Sequence, residues 1–268
     1  MQNFLFIDGS YLIFYKYHAL VNWWKLSHPE EPLINPIENK EFVDKFIKTI
    51  NEKLKEIPKK LKIGDCTIII ARDCSRNAIW RKEIFPEYKE NRVKNDNFLG
   101  GPFFKLAYNE IFPKNDSIHC IINYDNLEAD DCIAISTKYI MENSPDKKIY
   151  IITSDMDYLQ LIKENIEIYN LKYKKINDSK NSFGDPKKDL FCKIVMGDKS
   201  DNIPSIIKKC GIKTAEKMYS SPELFIKKMN EDNVNELYKR NSLLIDFNRI
   251  PLKLVNGLKK KLKYEIIL

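Results

Sequence analysis

The sequence predicts an α/β fold: a PIN-like, mostly parallel sheet flanked by helices, followed by a smaller helical region. Three observations predict it. Short apolar runs with strand character alternate with helical stretches, each run is followed within a few residues by a carboxylate, and after about residue 185 strands become scarce while lysines and turn residues become frequent.

The first run is Phe4 to Ile7, ending at Asp8. Tyr11, Phe14 and Tyr15 follow at helical spacing and read as core, with Trp23 and Trp24 near the end of that helix. Val43, Ile47, Ile50, Leu54 and Ile57, at spacings of 4, 3, 4 and 3, lay an apolar stripe along one face of a second helix. The second run, Thr67 to Ala71, precedes Asp73. The third, Ile118 to Ile122, precedes Glu128, and the fourth, Ile149 to Ile152, precedes Asp155 and Asp157. Leu171 to Phe183 reads as a loop or hairpin tip, and Asp185-Pro186, Ile203-Pro204 and Gly211 mark turns in the helical remainder. This divides the chain into a core over 1–184 and a helical region over 185–268.

In open parallel sheets the loops at the carboxyl ends of the strands converge on the working site. Every acid named above falls there. A helix dipole accounts for acids in one first turn, such as Glu128, Asp130 and Asp131. It does not account for two more close pairs, Asp155 with Asp157 and Asp198 with Asp201. Nine carboxylates in one partly desolvated cleft (Asp8, Asp73, Glu128, Asp130, Asp131, Asp155, Asp157, Asp198 and Asp201) repel one another and require cations. Oxygen ligands without Cys or His select Mg²⁺ or Mn²⁺ over Zn²⁺, and so many of them suggest two ions, the arrangement used for phosphodiester cleavage. On an ideal helix Glu128 and Asp131 share a face while Asp130 lies about 160° around, so either the first turn is irregular or these acids serve different ions or waters.

Other chemistries lack support. The chain has no G-x-G-x-x-G, P-loop or H-E-x-x-H motif, its six cysteines form no C-x-x-C, and His18, His28 and His119 are dispersed. No apolar run approaches the roughly 18 residues of a spanning helix. The amino terminus lacks the features of a secretory signal, so an intracellular, cytoplasmic protein without membrane partners is expected. A net charge of +7 hints at a polyanionic partner, and 43% hydrophobic content excludes a disordered chain.

Five motifs in order then make the sequence resemble the 5′-nuclease or flap endonuclease family, closest to its bacteriophage-type members and to the nuclease domain of bacterial DNA polymerase I. They are Phe6-Ile7-Asp8-Gly9-Ser10, Phe85-Pro86-Glu87-Tyr88-Lys89-Glu90-Asn91-Arg92, Leu127-Glu128-Ala129-Asp130-Asp131, Thr153-Ser154-Asp155-Met156-Asp157 and Gly197-Asp198-Lys199-Ser200-Asp201-Asn202-Ile203-Pro204. The resemblance spans Phe4 to about Met218. It implies two metal sites, with Asp8, Asp73, Glu128 and Asp130 on the first ion. Asp131, Asp155, Asp157 and Asp201 form the second group, supported by Asp198. It also implies a helical arch over about 75–112, with Lys89 and Arg92 reaching the scissile phosphate and Arg81 and Tyr88 contacting DNA. A helix-three-turn-helix over about 190–220 would hold duplex phosphates through Lys199, Lys208, Lys209, Gly211, Lys213, Thr214 and Lys217. Lys209-Cys210-Gly211 stands where the family has Gly-Ile-Gly, a departure that weighs against the K⁺ bound in that motif. Trp23 and Trp24 lie where the family bends its substrate.

The expected activity is Mg²⁺-dependent, structure-selective 5′-3′ exonuclease or flap endonuclease cleavage, for flap or RNA-primer removal in replication and repair. The expected partners are branched or nicked DNA with a 5′ single-stranded end, RNA-DNA primers and replication proteins, with the chain acting as a monomer. The alternatives are a PIN-type ribonuclease and a non-catalytic junction-binding protein on the same fold.

Overall fold

The computed structural model describes residues 3–92, 98–231 and 234–266. Its centre is a sheet of five parallel strands in the order β3-β2-β1-β4-β5: β1 (Asn3–Asp8), β2 (Cys66–Ala71), β3 (Ile118–Ile122), β4 (Ile149–Ile152) and β5 (Ile166–Tyr169). The apolar runs are continuous because helices cover both faces, as parallel sheets require. β5 is a strand that the sequence reading missed. It has four residues, and only Ile166 and Ile168 are buried, so its alternation is too short to stand out.

Successive side chains of β1 enter opposite cores. Leu5 and Ile7 pack with α1 (Gly9–Ser27) and α2 (Lys40–Lys60), whose fully buried stripe is Phe42, Phe46, Ile50, Leu54 and Ile57. Val43 and Ile47, expected on that stripe, flank it half-buried.

The segment 75–112 holds α3 (Arg81–Ile84), α4 (Gly101–Leu106) and a π-helical turn over Ala107–Ile111. Residues 93–97 of the expected arch lie outside the described residues. From Phe103 onward the segment is core: Phe103, Ala107, Tyr108, Ile111 and Phe112 are buried against α1 and α2, so any arch is narrower than 75–112.

On the other face Phe4 and Phe6 pack with α5 (Ala129–Asn143) and a 3-10 helix over Met156–Leu161. The chain then forms α6 (Pro186–Met196), α7 (Ile212–Ser220), α8 (Pro222–Glu231) and α9 (Asn235–Ile245) around a small core of Cys192, Val195, Ile206, Ala215, Met218 and Met229. α10 (Leu252–Glu265) returns to the sheet core through Leu258 and Leu262. No described helix is long and apolar enough to cross a membrane.

Strand order reverses at β1, which places a crevice at the carboxyl ends of β1 and β4. The first turn of α1 closes against β2 only because residue 9 is glycine. A Cβ there would meet Tyr108 Oη at 2.5 Å, Ala71 O at 2.8 Å and Ile70 Cγ2 at 2.9 Å. Gly9→Ala is expected to destabilise the fold by about 1–3 kcal/mol in chemical denaturation, whereas Gly211→Ala, with no atom within 4 Å of its Cβ, costs only its place as N-cap of α7, about 1 kcal/mol or less.

Candidate active site and metal centre

The carboxyl edge of the sheet gathers its acids by local hydrogen bonding. Asp8 caps α1, accepting from Tyr11 N at 3.0 Å. Asp73, just past β2, accepts from Ser10 Oγ at 2.6 Å and from Ala129 N at 2.9 Å, so it sits at the positive end of α5. Asp155 caps the 3-10 helix after β4 through Asp157 N at 2.9 Å. Asp8, Asp73, Glu128, Asp130 and Asp155 line one cleft of about 310 Å³, with Lys89 and Arg92 at its rim. Ser154 and Asp155 also border a neighbouring cavity of about 600 Å³ that holds Asp157 and Asp198.

The helix-face problem among Glu128, Asp130 and Asp131 is resolved by where α5 begins: Glu128 stands outside the helix and closes a capping box with Asp131. Glu128 is the extended N-cap residue, with φ −78° and ψ 167°, and its amide donates to Asp131 Oδ2 at 3.2 Å. Asp131 turns inward and is fully buried, bonded by Arg81 Nη1 at 2.8 Å, Arg81 Nη2 at 2.7 Å and Trp80 Nε1 at 2.9 Å. Asp131, expected in the second ligand group, thus has its oxygens bonded by Arg81 and Trp80, and its carboxylate lies within 4.8 Å of those of Glu128 and Asp130. Carboxylate oxygens of Asp157, Asp198 and Asp201 lie within 4.8 Å of one another.

Two DNA-contact assignments are also corrected. Arg81 is 3% exposed, pairs with Glu128 at 3.0 Å as well as with Asp131, and donates to Leu244 O at 2.7 Å. Tyr88 is 2% exposed, and its hydroxyl, 3.0 Å from Glu128 Oε2 and 2.9 Å from Asp201 Oδ2, has one proton to share between them. Both hold the site from below. Phe14, read as core, is instead half exposed and lines the cleft, whereas Trp24 is buried and stacked on His28.

Lys89 bonds Glu128 at 2.5 Å and approaches Asp201 at 3.6 Å, and Arg92 bonds Asp201 at 2.6 Å. Lys193 of α6 pairs with Asp157 and, at 2.8 Å, with Asp198. Sequence reading missed Lys193, since a single helical lysine leaves no periodic trace. Its position four residues before the Gly197-Asp198 turn was the available signal. Lys199, Lys208, Lys209, Gly211, Lys213, Thr214 and Lys217 are all exposed on the connection between α6 and α7 and on α7. Lys209 adopts φ 57°, a left-handed conformation suited to the glycine that stands there in the family pattern.

Charge compensation divides the acids. Burial, then Asp73, pushes Asp8 up to about 7 from an ordinary 3.8. Burial, then Asp131, raises Asp130. Glu128 is held low despite its burial by Lys89 and Arg81, and Asp198, also opposed by burial, is held at about 2 by Lys193 and Ser200. The first cleft thus offers carboxylate oxygens, without sulfur or imidazole among its described lining residues, and an excess of negative charge. A hard divalent cation fits that donor set.

Residues 3–187 match the family described as 5′-3′ exonuclease, N-terminal resolvase-like domain. A 5′-3′ exonuclease of Buchnera aphidicola from Acyrthosiphon pisum is 33% identical over 218 residues, covering 79% of this chain and 68% of that protein. Among solved structures, the T5 D15 protein co-crystallised with metal ions superposes with a TM-score of 0.70 at 18% identity, covering 99% of this chain and 100% of that one. The bacteriophage T5 D15 flap endonuclease in a pseudo-enzyme-product complex with DNA and metal ions gives 0.70 at 16% identity, covering 98% of each chain. At such identities the superpositions speak for the fold.

Two predictions follow from the charge division. Arg81→Met leaves Glu128 and Asp131 buried without their guanidinium and is expected to destabilise the protein by about 3–5 kcal/mol, read by urea denaturation. Folded Asp8 keeps its proton up to about pH 7 while the unfolded chain releases it near 3.8. Its contribution therefore penalises folding progressively as pH rises between those values, and fully above them. In EDTA, Asp8→Asn is expected to flatten the fall in melting temperature across that interval.

Proposed function

The chain belongs to the 5′-3′ exonuclease family, and from that premise we propose that it is a Mg²⁺-dependent, structure-selective 5′ nuclease removing flaps or RNA primers in DNA replication and repair. As a family member it is a hydrolase of phosphodiester bonds. The observation that supports the finer reading is the all-carboxylate cleft facing Lys89 and Arg92 at the carboxyl edge of the sheet.

Asp8, Asp73, Glu128 and Asp130, with Asp155 beside them, would hold one ion, and Asp155, Asp157, Asp198 and Asp201 a second. Two Mg²⁺ bound there would supply an activated water and stabilise charge on the leaving oxygen. Lys89 and Arg92 hold the scissile phosphate and offset its developing charge, exchanging their carboxylate partners for phosphate oxygens. Half-exposed Phe14 offers a face on which an unpaired base at the junction can stack.

The exposed lysines Lys199, Lys208, Lys209, Lys213 and Lys217, with Gly211 and Thr214 at the start of α7, grip duplex phosphates without reading sequence. This is the helix-three-turn-helix role of α6 and α7. A duplex held there and a 5′ strand led past Lys89 and Arg92 would define a junction, the feature that separates a flap nuclease from a ribonuclease acting on unstructured RNA.

The test is cleavage of end-labelled single strands, duplexes, nicked duplexes, 5′ flaps and unstructured RNA, with and without Mg²⁺. Flap DNA is expected to be cut fastest and only with Mg²⁺, and Lys89→Ala and Asp155→Asn to lower the single-turnover rate by about 100-fold or more. Equal rates on unstructured RNA and flap DNA, or an undiminished Asp155→Asn protein, would overturn the reading.

A further inference from the structure

Lys89 and Arg92 lie on a turn whose backbone is fastened to a second turn more than one hundred residues away in sequence. Lys89 N donates to Asp201 O at 2.9 Å, Asn91 Nδ2 to Lys199 O at 2.6 Å, and Asn202 Nδ2 to Glu87 O at 2.8 Å. Arg76 closes the opposite side, donating from Nη2 to Lys89 O at 2.7 Å and to Arg92 O at 2.6 Å. Lys89 and Asn202 both adopt left-handed backbone conformations, φ 58° and 61°. Asn tolerates that region, and a lysine seldom enters it without surrounding structure that imposes it.

The second turn is itself stiff. Asp198 N donates to Ile203 O at 2.8 Å and Ile203 N to Asp198 O at 2.7 Å. Asn241 Nδ2 binds Ile194 O at 3.0 Å and Pro204 O at 2.9 Å. At Gly197, φ 72°, a Cβ would meet Ile203 O at 2.3 Å. Lys199 and Ser200 at its tip are exposed and lead into the lysine surface before α7.

We propose that Asn91 and Asn202 are positioning residues that clasp the 85–92 turn to the 198–203 turn, so that the surface holding the duplex fixes where Lys89 and Arg92 stand over the cleft. The proposal rests on the reading that these two cations face the scissile phosphate. The ion pairs of Lys89 with Glu128 and of Arg92 with Asp201 cannot do this alone. A phosphate competes for the cations and a divalent ion for the carboxylates, so both pairs weaken when substrate and metal arrive. Neutral amides bonded to backbone carbonyls are indifferent to that exchange. They leave the turn in register while the charged side chains change partners.

Asn202→Gly keeps the left-handed backbone and deletes only the amide, and Asn91→Ala removes the other donor. The pair is expected to retain the parental melting temperature and the parental affinity for a 5′-flap DNA in Ca²⁺, while single-turnover cleavage in Mg²⁺ falls about 10- to 100-fold. On a Lys89→Ala/Arg92→Ala background the two changes are expected to lower the rate no further, since they act through those two cations. Amide hydrogen exchange across 85–92 is expected to quicken.

Parental cleavage by the double variant, or losses that multiply with Lys89→Ala/Arg92→Ala, would overturn the proposal. If the parent protein itself cleaves no flap, the functional reading fails separately, and exchange still decides the clasp: faster exchange at 85–92 in Asn202→Gly supports it, and parental exchange overturns it.

Discussion

Mutual repulsion among the carboxylates at the carboxyl edge of the sheet is the constraint around which the site is built. Five strands in parallel bring acids from four connections to one cleft, and burial makes their simultaneous ionisation unfavourable. Two kinds of compensation are visible. Glu128, Asp131, Asp157, Asp198 and Asp201 have Lys or Arg partners built into the chain. Asp8, Asp73, Asp130 and Asp155 are held only by amides and hydroxyls and have no ion pair among the described residues. The second set is open to a cation from solution, whereas an ion at Asp157, Asp198 and Asp201 would have to displace Lys193 and Arg92.

That division gives the buried Arg81 its purpose. A guanidinium sealed beneath Glu128 and Asp131 holds Asp131 inward at the start of α5, while Asp130 lines the cleft. The arginine is structural for the same reason that it is near the chemistry: removing it would leave buried Asp131 without a cation and Glu128 with Lys89 alone. Tyr88 repeats the device on the other side, bridging Glu128 and Asp201 and so joining the two acid groups through one hydroxyl.

Much of this was legible in the sequence, because the strands are continuous apolar runs and four of them are followed within a few residues by acids. Periodicity located α2, with Ile50, Leu54 and Ile57 on its buried face. It could not show which side of a helix start an acid faces, since Glu128 is an extended N-cap residue and ideal helical angles do not apply to it. Nor could it separate a basic residue that meets DNA from one that supports an acid. Arg81 and Lys89 sit eight residues apart in the same charged segment, yet one is sealed in and the other is at the rim of the cleft. Motif order identifies such a segment, while burial assigns roles within it. The fifth strand was lost to its shortness, and Lys193 to its isolation.

The surface lysines and the cleft acids form one system with opposite signs, joined where the turn bearing Lys89 meets the turn bearing Asp201. A divalent cation is expected to replace the proton on Asp8, a carboxyl that burial and Asp73 push up to about 7. Calorimetric titration of the nucleic-acid-free protein with Mn²⁺ at pH 6.5, in two buffers of different ionisation enthalpy, measures this directly. Saturable binding with a buffer-dependent enthalpy, reporting protons released from the cleft and diminished in Asp8→Asn, is the predicted result. Absence of saturable binding, or binding whose enthalpy is the same in both buffers, would contradict it.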